Sequence, residues 1–201
     1  MTGIICYIGI GSNLGNPLQN CQDAIEKVSC VYGVQLIKVS SFYLTEPVDI
    51  NADKYSIKNL AGVDDNDNKK TKANQLESKH QNWFINAVAE VKTNLSARDL
   101  LRKLQDIETA MGRKRQIKGE PRVVDLDLLF YGQDIITEDN LNVPHPEIYK
   151  RRFVLEPLSE IASFYIHPAF GVSIRGLKDR LNDQRIVELY KGSDWAGRYL
   201  C

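Results

Sequence analysis

Two aspartates alternate with apolar residues in the segment 123–130, and this spacing is suited to metal chemistry. Side chains alternate across a β-strand, so Asp125 and Asp127 share one face and Val124, Leu126, Leu128 and Phe130 take the other. Two residues span roughly 6.5 Å along a strand, and the repulsion between the two carboxylates is relieved by a divalent cation. A solvated strand face is the alternative, but aspartate is disfavoured in strands. We predict a Mg²⁺ site, because Mg²⁺ prefers oxygen ligands and keeps positions for water and phosphate.

A basic segment, residues 112–122, directly precedes this acidic pair. It contains Arg113, Arg115 and Arg122 together with two lysines. The planar guanidinium group binds phosphate oxygens through two hydrogen bonds. Taken alone, the segment is equally consistent with a solvated loop. Next to two metal-binding carboxylates, it predicts a flexible clamp on a polyphosphate.

An aromatic ring and an amide lie two residues apart at Phe84 and Asn86, within a β-rich run. They therefore share one strand face, opposite Trp83, Ile85 and Ala87. A flat heteroaromatic ligand needs this combination, since stacking adds about 0.5–1.5 kcal/mol beyond burial and the amide sets the orientation.

Three further polar residues give weaker signals. Gln105 and Glu108 lie one turn apart at the edge of a predicted helix, where they are either surface residues or, in the case of Glu108, a group behind the metal ligands. His145, in a proline-flanked segment, is by itself more typical of a structural histidine, and a single histidine makes a poor metal site. The glycines of 9–15 match neither a dinucleotide-binding motif nor a Walker A loop.

The elements that position these residues alternate between strand and helix. Strands are predicted at 4–10, 35–43, 82–91, 123–131 and near 135. Helices are predicted after the N-caps Asn16 and Ser96, with Gly33 and Gly112 as stops, and around 152–160 and 174–181. The order β-α-β-β-α-β predicts an α+β fold, a ferredoxin-like βαββαβ sandwich whose antiparallel sheet carries helices on its faces.

Length and composition predict one domain over 1–201, interrupted by a polar insertion at about 49–81. Basic and acidic residues balance at 26 each, so no overall field attracts nucleic acid or a membrane. The sequence offers no long apolar run, and the four cysteines suggest neither a zinc site nor a disulfide framework. We expect a cytoplasmic monomer.

Several short segments, taken in order, resemble the 6-hydroxymethyl-7,8-dihydropterin pyrophosphokinase family of folate biosynthesis. They cover most of residues 3–160. The segments are Tyr7-Ile8-Gly9-Ile10-Gly11-Ser12-Asn13-Leu14-Gly15, 40–47, 83–88, Gln105 with Glu108, 112–115, Pro121-Arg122 with Asp125-Leu126-Asp127, 143–146 and 151–158.

The resemblance implies transfer of pyrophosphate from the co-substrate ATP to the hydroxymethyl group of the pterin, with AMP leaving and two Mg²⁺ ions held by Asp125 and Asp127. It implies that Arg113 and Arg122 belong to a mobile loop that closes over the phosphates. The residues implied for the pterin are Thr45, Glu46 (through its backbone), Val48, Phe84, Asn86 and Phe153. Those implied for ATP are Gln105, Arg115, Leu128, His145 and Arg151.

Two other functional classes remain as alternatives. A ferredoxin-like RNA- or peptide-binding module would carry paired aromatic residues on its sheet, but Asp125 and Asp127 would repel phosphate in the absence of metal. Another Mg²⁺-dependent phosphotransferase or nuclease would use the same acids, but it would not account for Phe84, Asn86 and Phe153.

Overall fold

The computed structural model describes residues 3–47, 83–112 and 122–192. Val48, Arg113, Arg115 and the predicted insertion at 49–81 lie outside the described residues. The strands are β1 (Ile4–Ser12), β2 (Val34–Val39), β3 (Phe42–Thr45), β4 (Phe84–Thr93), β5 (Asp125–Tyr131), β6 (Ile136–Glu138), β7 (Leu141–Val143) and β8 (Val187–Lys191). The helices are α1 (Pro17–Ser29), α2 (Ala97–Ala110), α3 (Arg152–Ala162) and α4 (Ile174–Arg180), with a short 3₁₀ helix at Ile148–Lys150.

Six strands form one antiparallel sheet, in which five follow the order β5-β1-β4-β3-β8 and the sixth, β2, pairs with β4. The strand β4 is long enough to pair with two strands, one after the other, along the same edge. Its second half pairs with β2, from Val39 opposite Ala89 to Val34 opposite Thr93, and its first half pairs with β3. The hairpin β6-β7 forms a separate two-stranded sheet. An α+β fold with an antiparallel sheet is therefore confirmed.

Each face of the sheet buries its own set of apolar residues. On one face, alternate residues of β1, β4 and β5 pack against α1 and α2; they include Cys6, Ile8, Ile10, Ile85, Ala87, Ala89, Leu126 and Leu128. On the other face, a smaller cluster packs against α3, α4 and the 3₁₀ helix; it includes Tyr7, Val88, Leu129, Phe130, Val154, Leu155 and Leu158. The predicted division of β4 into two faces is confirmed by this arrangement.

The alternation predicted for the last long strand holds only in its first part. Leu126 and Leu128 are buried on the face of α1 and α2, as predicted, but Phe130 packs with Tyr7 in the cluster on the other face. The pairing of β1 with β5 shifts register between Tyr7 and Ile8. This irregularity moves Phe130 across the sheet, so its predicted placement was wrong.

The predicted helix starts follow from local hydrogen bonding. The side chain of Asn16 accepts a hydrogen bond from the backbone N–H of Gln19, and Pro17 occupies the first helical position of α1. Ser96 caps α2 in the same way through Asp99 N–H, and Gly112 follows it with a φ of 97°. The helix α1 ends at Ser29, before the predicted stop at Gly33.

Two sequence expectations concern the cysteines and membrane helices. Cys6 and Cys21 are buried free thiols, whereas Cys30 is disulfide-bonded; the sequence argument excluded a disulfide framework, and that expectation stays a prediction. Across 3–47, 83–112 and 122–192, no helix has both the length and the apolar character that a bilayer crossing requires.

Candidate active site

The predicted ligand-binding residues come together in two rows that cross the three central strands. Gly11 of β1 is paired with Asn86 of β4 on one side and with Asp125 of β5 on the other. One step along, Gly9 is paired in the same way with Val88 and Asp127. Paired residues in a sheet share a face, and two strand spacings amount to about 9.6 Å. Asn86 and the two aspartates thus line opposite sides of one surface.

The glycines of β1 form the floor between these two sides. A Cβ atom placed on Gly11 would lie 2.7 Å from Oδ1 of Asn86, and one placed on Gly9 would lie 3.3 Å from a methyl carbon of Leu129. Distances under 3 Å are not tolerated without displacement of the neighbour, so the amide of Asn86 occupies space that any other residue at position 11 would need. Asn86 and Leu129 therefore lie close over the two glycines, and we call the surface shared by Gly9, Gly11, Asn86, Asp125 and Asp127 the central furrow.

The amide of Asn86 is held in place by a threonine on the neighbouring strand. Its Nδ2 donates a 2.6 Å hydrogen bond to Oγ1 of Thr45. The two residues are only 8% and 1% exposed, respectively, so the bond is made in a poorly solvated environment where it is costly to break. Phe84 lies directly opposite Thr45 in the β3-β4 pair. The predicted pterin residues Thr45, Phe84 and Asn86 are therefore neighbours.

On the other side of the furrow, Asp125 pairs with the arginine that ends the basic segment. Nη1 of Arg122 lies 2.7 Å from Oδ2 of Asp125. The backbone of Arg122 is anchored by Asn13, whose Oδ1 accepts a hydrogen bond of 3.0 Å from Arg122 N–H. The helix α1 also stabilises the segment around Asn13, because Nδ2 of Asn20 donates hydrogen bonds to Ser12 Oγ and to the carbonyl oxygen of Leu14.

Glu108 supports the acidic strand from behind. This residue of α2 is only 3% exposed, and its Oε1 accepts a 2.8 Å hydrogen bond from the backbone N–H of Leu126. Leu126 separates Asp125 from Asp127, so the bond fixes the main chain between the two candidate ligands. This contact is the kind expected of a residue that acts behind the metal ligands.

The residues predicted to bind ATP differ from one another in burial and in their contacts. The side chain of Leu128 is buried in the core with α1 and α2, which leaves only its backbone for a ligand. Gln105 is half-buried on α2. His145 is anchored beside β5, since its N–H donates a 3.0 Å hydrogen bond to the carbonyl oxygen of Leu129.

The acidic pair and an arginine have opposite effects on the pKa of His145. Burial lowers the pKa of His145; Asp127 acts against this effect, and Arg151 reinforces it. Its Nδ1 also accepts a hydrogen bond from the backbone N–H of Glu147. The imidazole is thus favoured in its neutral form, which leaves a hydrogen-bonding group without added positive charge next to the furrow.

The remaining candidates lie at the ends of α3 and β3. The Cζ atom of Arg151 is 5.8 Å from the ring centroid of Phe153, in a cation–π contact at the start of α3. Glu46 follows β3, and both its backbone N–H and its carboxylate bond to the backbone of Ile186. The carboxylate and the backbone N–H of Glu46 therefore both have structural partners, and its role mainly through the backbone stays a prediction.

The donor set of the furrow suits Mg²⁺ better than a metal with a full protein cage. Within the described part of the chain, no group of three or more His, Cys, Asp and Glu side chains is arranged to hold a metal. Asp125 and Asp127 are half-buried on one strand face. Mg²⁺ is commonly bound through one or two carboxylates, with its other positions filled by water and substrate phosphates. The residues present fit that mode.

Comparison with known proteins gives the family. The family model described as 7,8-dihydro-6-hydroxymethylpterin-pyrophosphokinase (HPPK) matches residues 7–63 and 56–163. The chain belongs to the HPPK family. The matched range includes every residue of the central furrow as well as Arg122, His145 and Phe153.

Individual relatives of this HPPK chain differ in length. It is 32% identical over 186 residues to the 2-amino-4-hydroxy-6-hydroxymethyldihydropteridine pyrophosphokinase of Haemophilus influenzae, with 92% of this chain and 98% of that protein covered. It is 36% identical over 180 residues to the folic acid synthesis protein fol1 of Pneumocystis carinii; this match covers 90% of this chain but only 20% of that protein. The crystal structure of Plasmodium falciparum HPPK-DHPS with pteroate has the same fold, with a TM-score of 0.62, 17% identity, and 88% and 42% of the two chains covered.

Sequence reasoning missed several residues that shape this HPPK site. Gly11 and Asn13 lie in the glycine-rich segment 9–15, which matched no nucleotide-binding motif, and neither residue was assigned a role in the site. The spacing of Gly9 and Gly11 could have indicated a close approach of another group to β1, since both glycines fall on the strand face opposite Ile8 and Ile10. Glu160 was also missed: its carboxylate accepts hydrogen bonds from Ser41 N–H, Ser41 Oγ and Tyr43 Oη. No local pattern pointed to that contact, which joins residues more than 100 positions apart.

Proposed function

We propose that this chain transfers a pyrophosphoryl group from ATP to the hydroxymethyl group of 6-hydroxymethyl-7,8-dihydropterin and releases AMP, as a step of folate biosynthesis. It is an ATP-dependent pterin pyrophosphokinase. The observation that carries the proposal is the central furrow. One side offers an oriented amide and an aromatic ring, and the other offers two carboxylates about 9.6 Å away, two strand spacings across the sheet.

The pterin is recognised on the β4 side of the furrow. Asn86 reads the amide edge of the ring, with its own amide plane fixed in advance by Thr45. Phe84 and Phe153 sandwich the ring, and the segment Thr45–Val48, including the backbone of Glu46, contributes further hydrogen bonds. Because the amide is already ordered, little conformational entropy is lost when the pterin binds.

ATP is bound on the β5 side. His145 and Arg151 contact the nucleotide from the segment that follows β7, together with Gln105, Arg115 and the backbone of Leu128. Asp125 and Asp127 hold Mg²⁺, and we propose two ions. Mg²⁺ bound there neutralises charge on the phosphate oxygens and orients them. Glu108 keeps the two carboxylates on the furrow face through its bond to Leu126 N–H.

Arginine supplies the remaining positive charge at the phosphates. Arg122 is next to the furrow and pairs with Asp125, so a rotation of its side chain is enough to exchange a carboxylate for a phosphate oxygen. Arg113 joins it from the basic segment. Charge neutralisation and positioning are the main requirements of phosphoryl-type transfer, which needs little covalent help from the protein.

We further propose that the fold is a ferredoxin-like sandwich extended by two strands. The order β5-β1-β4, with β2 on the far side of β4 and both α1 and α2 on one face, supports this layout. The extra strands are β3 and β8. A single domain over 1–201, a monomeric state and a cytoplasmic location remain predictions.

The proposal is tested by mixing purified protein with 6-hydroxymethyl-7,8-dihydropterin, ATP and Mg²⁺. We expect AMP and the pterin diphosphate to form in equal amounts. Omission of the pterin should abolish AMP formation, which separates this reaction from a plain ATPase. Formation of ADP, or of AMP without any pterin product, would contradict the proposal.

A further inference from the structure

One buried carboxylate in the C-terminal part of the chain has no place in the reaction described above. Asp183 is 9% exposed and lies beyond residue 163, where the match to the family model ends. Its Oδ2 accepts a 3.1 Å hydrogen bond from the backbone N–H of Arg152. Its Oδ1 accepts bonds from the backbone N–H and Nε of Arg185, at 3.1 and 2.7 Å, and Nη2 of Arg185 lies 2.7 Å from Oδ2.

The bond to Arg152 supplies a cap that α3 does not make for itself. The N-cap residue of α3, Arg151, makes no side-chain capping bond. Arg152 is the first residue of the helix, and its N–H is one of the four that the helix leaves without an internal partner. A carboxylate at this end is also favoured by the helix dipole. Asp183 therefore fixes the first turn of α3, which carries Phe153.

The same short segment also holds the end of β3. Ile186 exchanges two hydrogen bonds with Glu46: Glu46 N–H donates to Ile186 O at 3.1 Å, and Ile186 N–H donates to Glu46 Oε2 at 3.3 Å. One residue further, Val187 pairs with Thr45. Thr45 in turn orients Asn86. The segment 183–187, which we call the C-terminal brace, thus touches both sides of the proposed pterin slot.

We infer that Asp183 is a positioning residue for the pterin slot, because it holds Phe153 on α3 at a fixed distance from Asn86 on β4 through the C-terminal brace. The inference rests on the proposed function. Burial raises the pKa of Asp183, but the hydrogen bonds from Arg185 and Arg152 outweigh that effect and lower the pKa overall. The group is therefore a carboxylate at neutral pH, as its contacts require.

The test compares Asp183→Asn with Asp179→Asn. Asp179 lies on the nearby helix α4, where its side chain is 61% exposed and forms a 3.8 Å ion pair with Arg175. For Asp183→Asn we expect the KM for the pterin to rise by about tenfold, the effect of losing one charged hydrogen bond. The kcat at saturating substrates should stay within about twofold of wild type, and Asp179→Asn should match wild type throughout.

The inference is overturned if the pterin KM of folded Asp183→Asn is unchanged, or if kcat falls in proportion to the rise in the pterin KM, as it would after a general loss of structure. If this variant does not fold, Arg185→Gln gives the decision, because it removes the ion pair that holds the Asp183 carboxylate in place against Arg152 N–H. It should raise the pterin KM selectively, and an unchanged value overturns the inference. A wild-type protein that makes no pterin diphosphate would instead refute the proposed function.

Discussion

Arg122 donates a 2.7 Å hydrogen bond from Nη1 to Oδ2 of Asp125. One partner is the proposed phosphate-binding arginine and the other is a proposed metal ligand. Both groups are partly exposed, so the pair is screened by water and contributes little to stability. The pair is therefore suited to exchange, in which the guanidinium group leaves the carboxylate and takes up a phosphate oxygen.

Arg122→Ala should reduce kcat far more than it weakens pterin binding. Loss of one group that stabilises charge in the transition state costs about 10²–10³ in kcat, whereas the described hydrogen bonds of Arg122 are to Asn13 and Asp125. Steady-state kinetics and pterin titrations with a non-hydrolysable ATP analogue measure the two effects. Arg102→Ala, which removes an exposed ion pair with Asp99 on α2, is the control. Equal losses in turnover and pterin affinity would show that Arg122 acts in binding alone.

Asp127→Asn should nearly abolish turnover without destabilising the protein. The substitution keeps the size of the side chain and removes both a metal ligand and a negative charge that repels Asp125. We expect an unchanged or slightly raised Tm and a much weaker response of activity to added Mg²⁺. Asp106→Asn, on the exposed surface of α2, controls for the loss of one charge. Near wild-type activity in Asp127→Asn would end the metal-binding model.

Gly11→Ala should disturb pterin recognition through a residue that it does not replace. The new methyl group would lie 2.7 Å from Asn86 Oδ1, so the amide must shift away from its position against Thr45. Misplacement of a substrate-orienting group by about 1 Å can cost about 10²-fold in kcat/KM. Gly9→Ala meets only a flexible Leu129 side chain at 3.3 Å and should displace Asn86 much less. Similar pterin KM values for Gly11→Ala and wild type would contradict this account of the furrow.

His167 should make the folded protein sensitive to mild acid. It is buried between aromatic rings, stacked on Phe170 and edge-on to Phe130, and its Nδ1 accepts a hydrogen bond from Ala169 N–H. Burial lowers its pKa below the usual 6.5. The unfolded chain therefore binds more protons, so this contribution to stability is present above about pH 6.5 and is lost as the pH falls below it.

The variant His167→Asn tests this contribution, because asparagine cannot titrate in this range and retains an acceptor near the position of Nδ1. Thermal unfolding at pH 7.5 and at pH 5.5 should show a smaller fall in Tm for the variant than for wild type. His145 also has a lowered pKa, so part of the fall should remain. An identical pH dependence in both proteins would exclude His167 as its source.

Local patterns in the sequence were sufficient for most elements and for the faces of the main strands. Asn16 and Ser96 act through atoms three residues away, and alternation placed Ile85 and Asn86 on opposite faces of β4. Where alternation failed, a long-range contact was responsible. The register shift between β1 and β5 moved Phe130 to the other face, and alternation along one strand has no information about its partner.

The candidate site was predictable as a list of residues but not as a shape. Asp125, Asp127 and Asn86 were recognisable from residue type and spacing. Their separation across Gly11 depends on the order β5-β1-β4, which only the assembled sheet defines. The link from Asp183 to Arg152 joins segments 31 positions apart by a side chain–backbone bond, and such bonds leave no periodic signal in the sequence.

The division of β4 between two partners restricts how its sequence can change in length. The register of its second half, from Ala89 to Thr93, is fixed by pairing with β2, while its first half carries Asn86 and Phe84. One residue inserted between the two halves would leave the second half paired with β2 and would turn Asn86 and Phe84 towards α1 and α2, because side chains alternate with a period of two. Homologous chains should therefore gain or lose residues here only in pairs or with a compensating bulge.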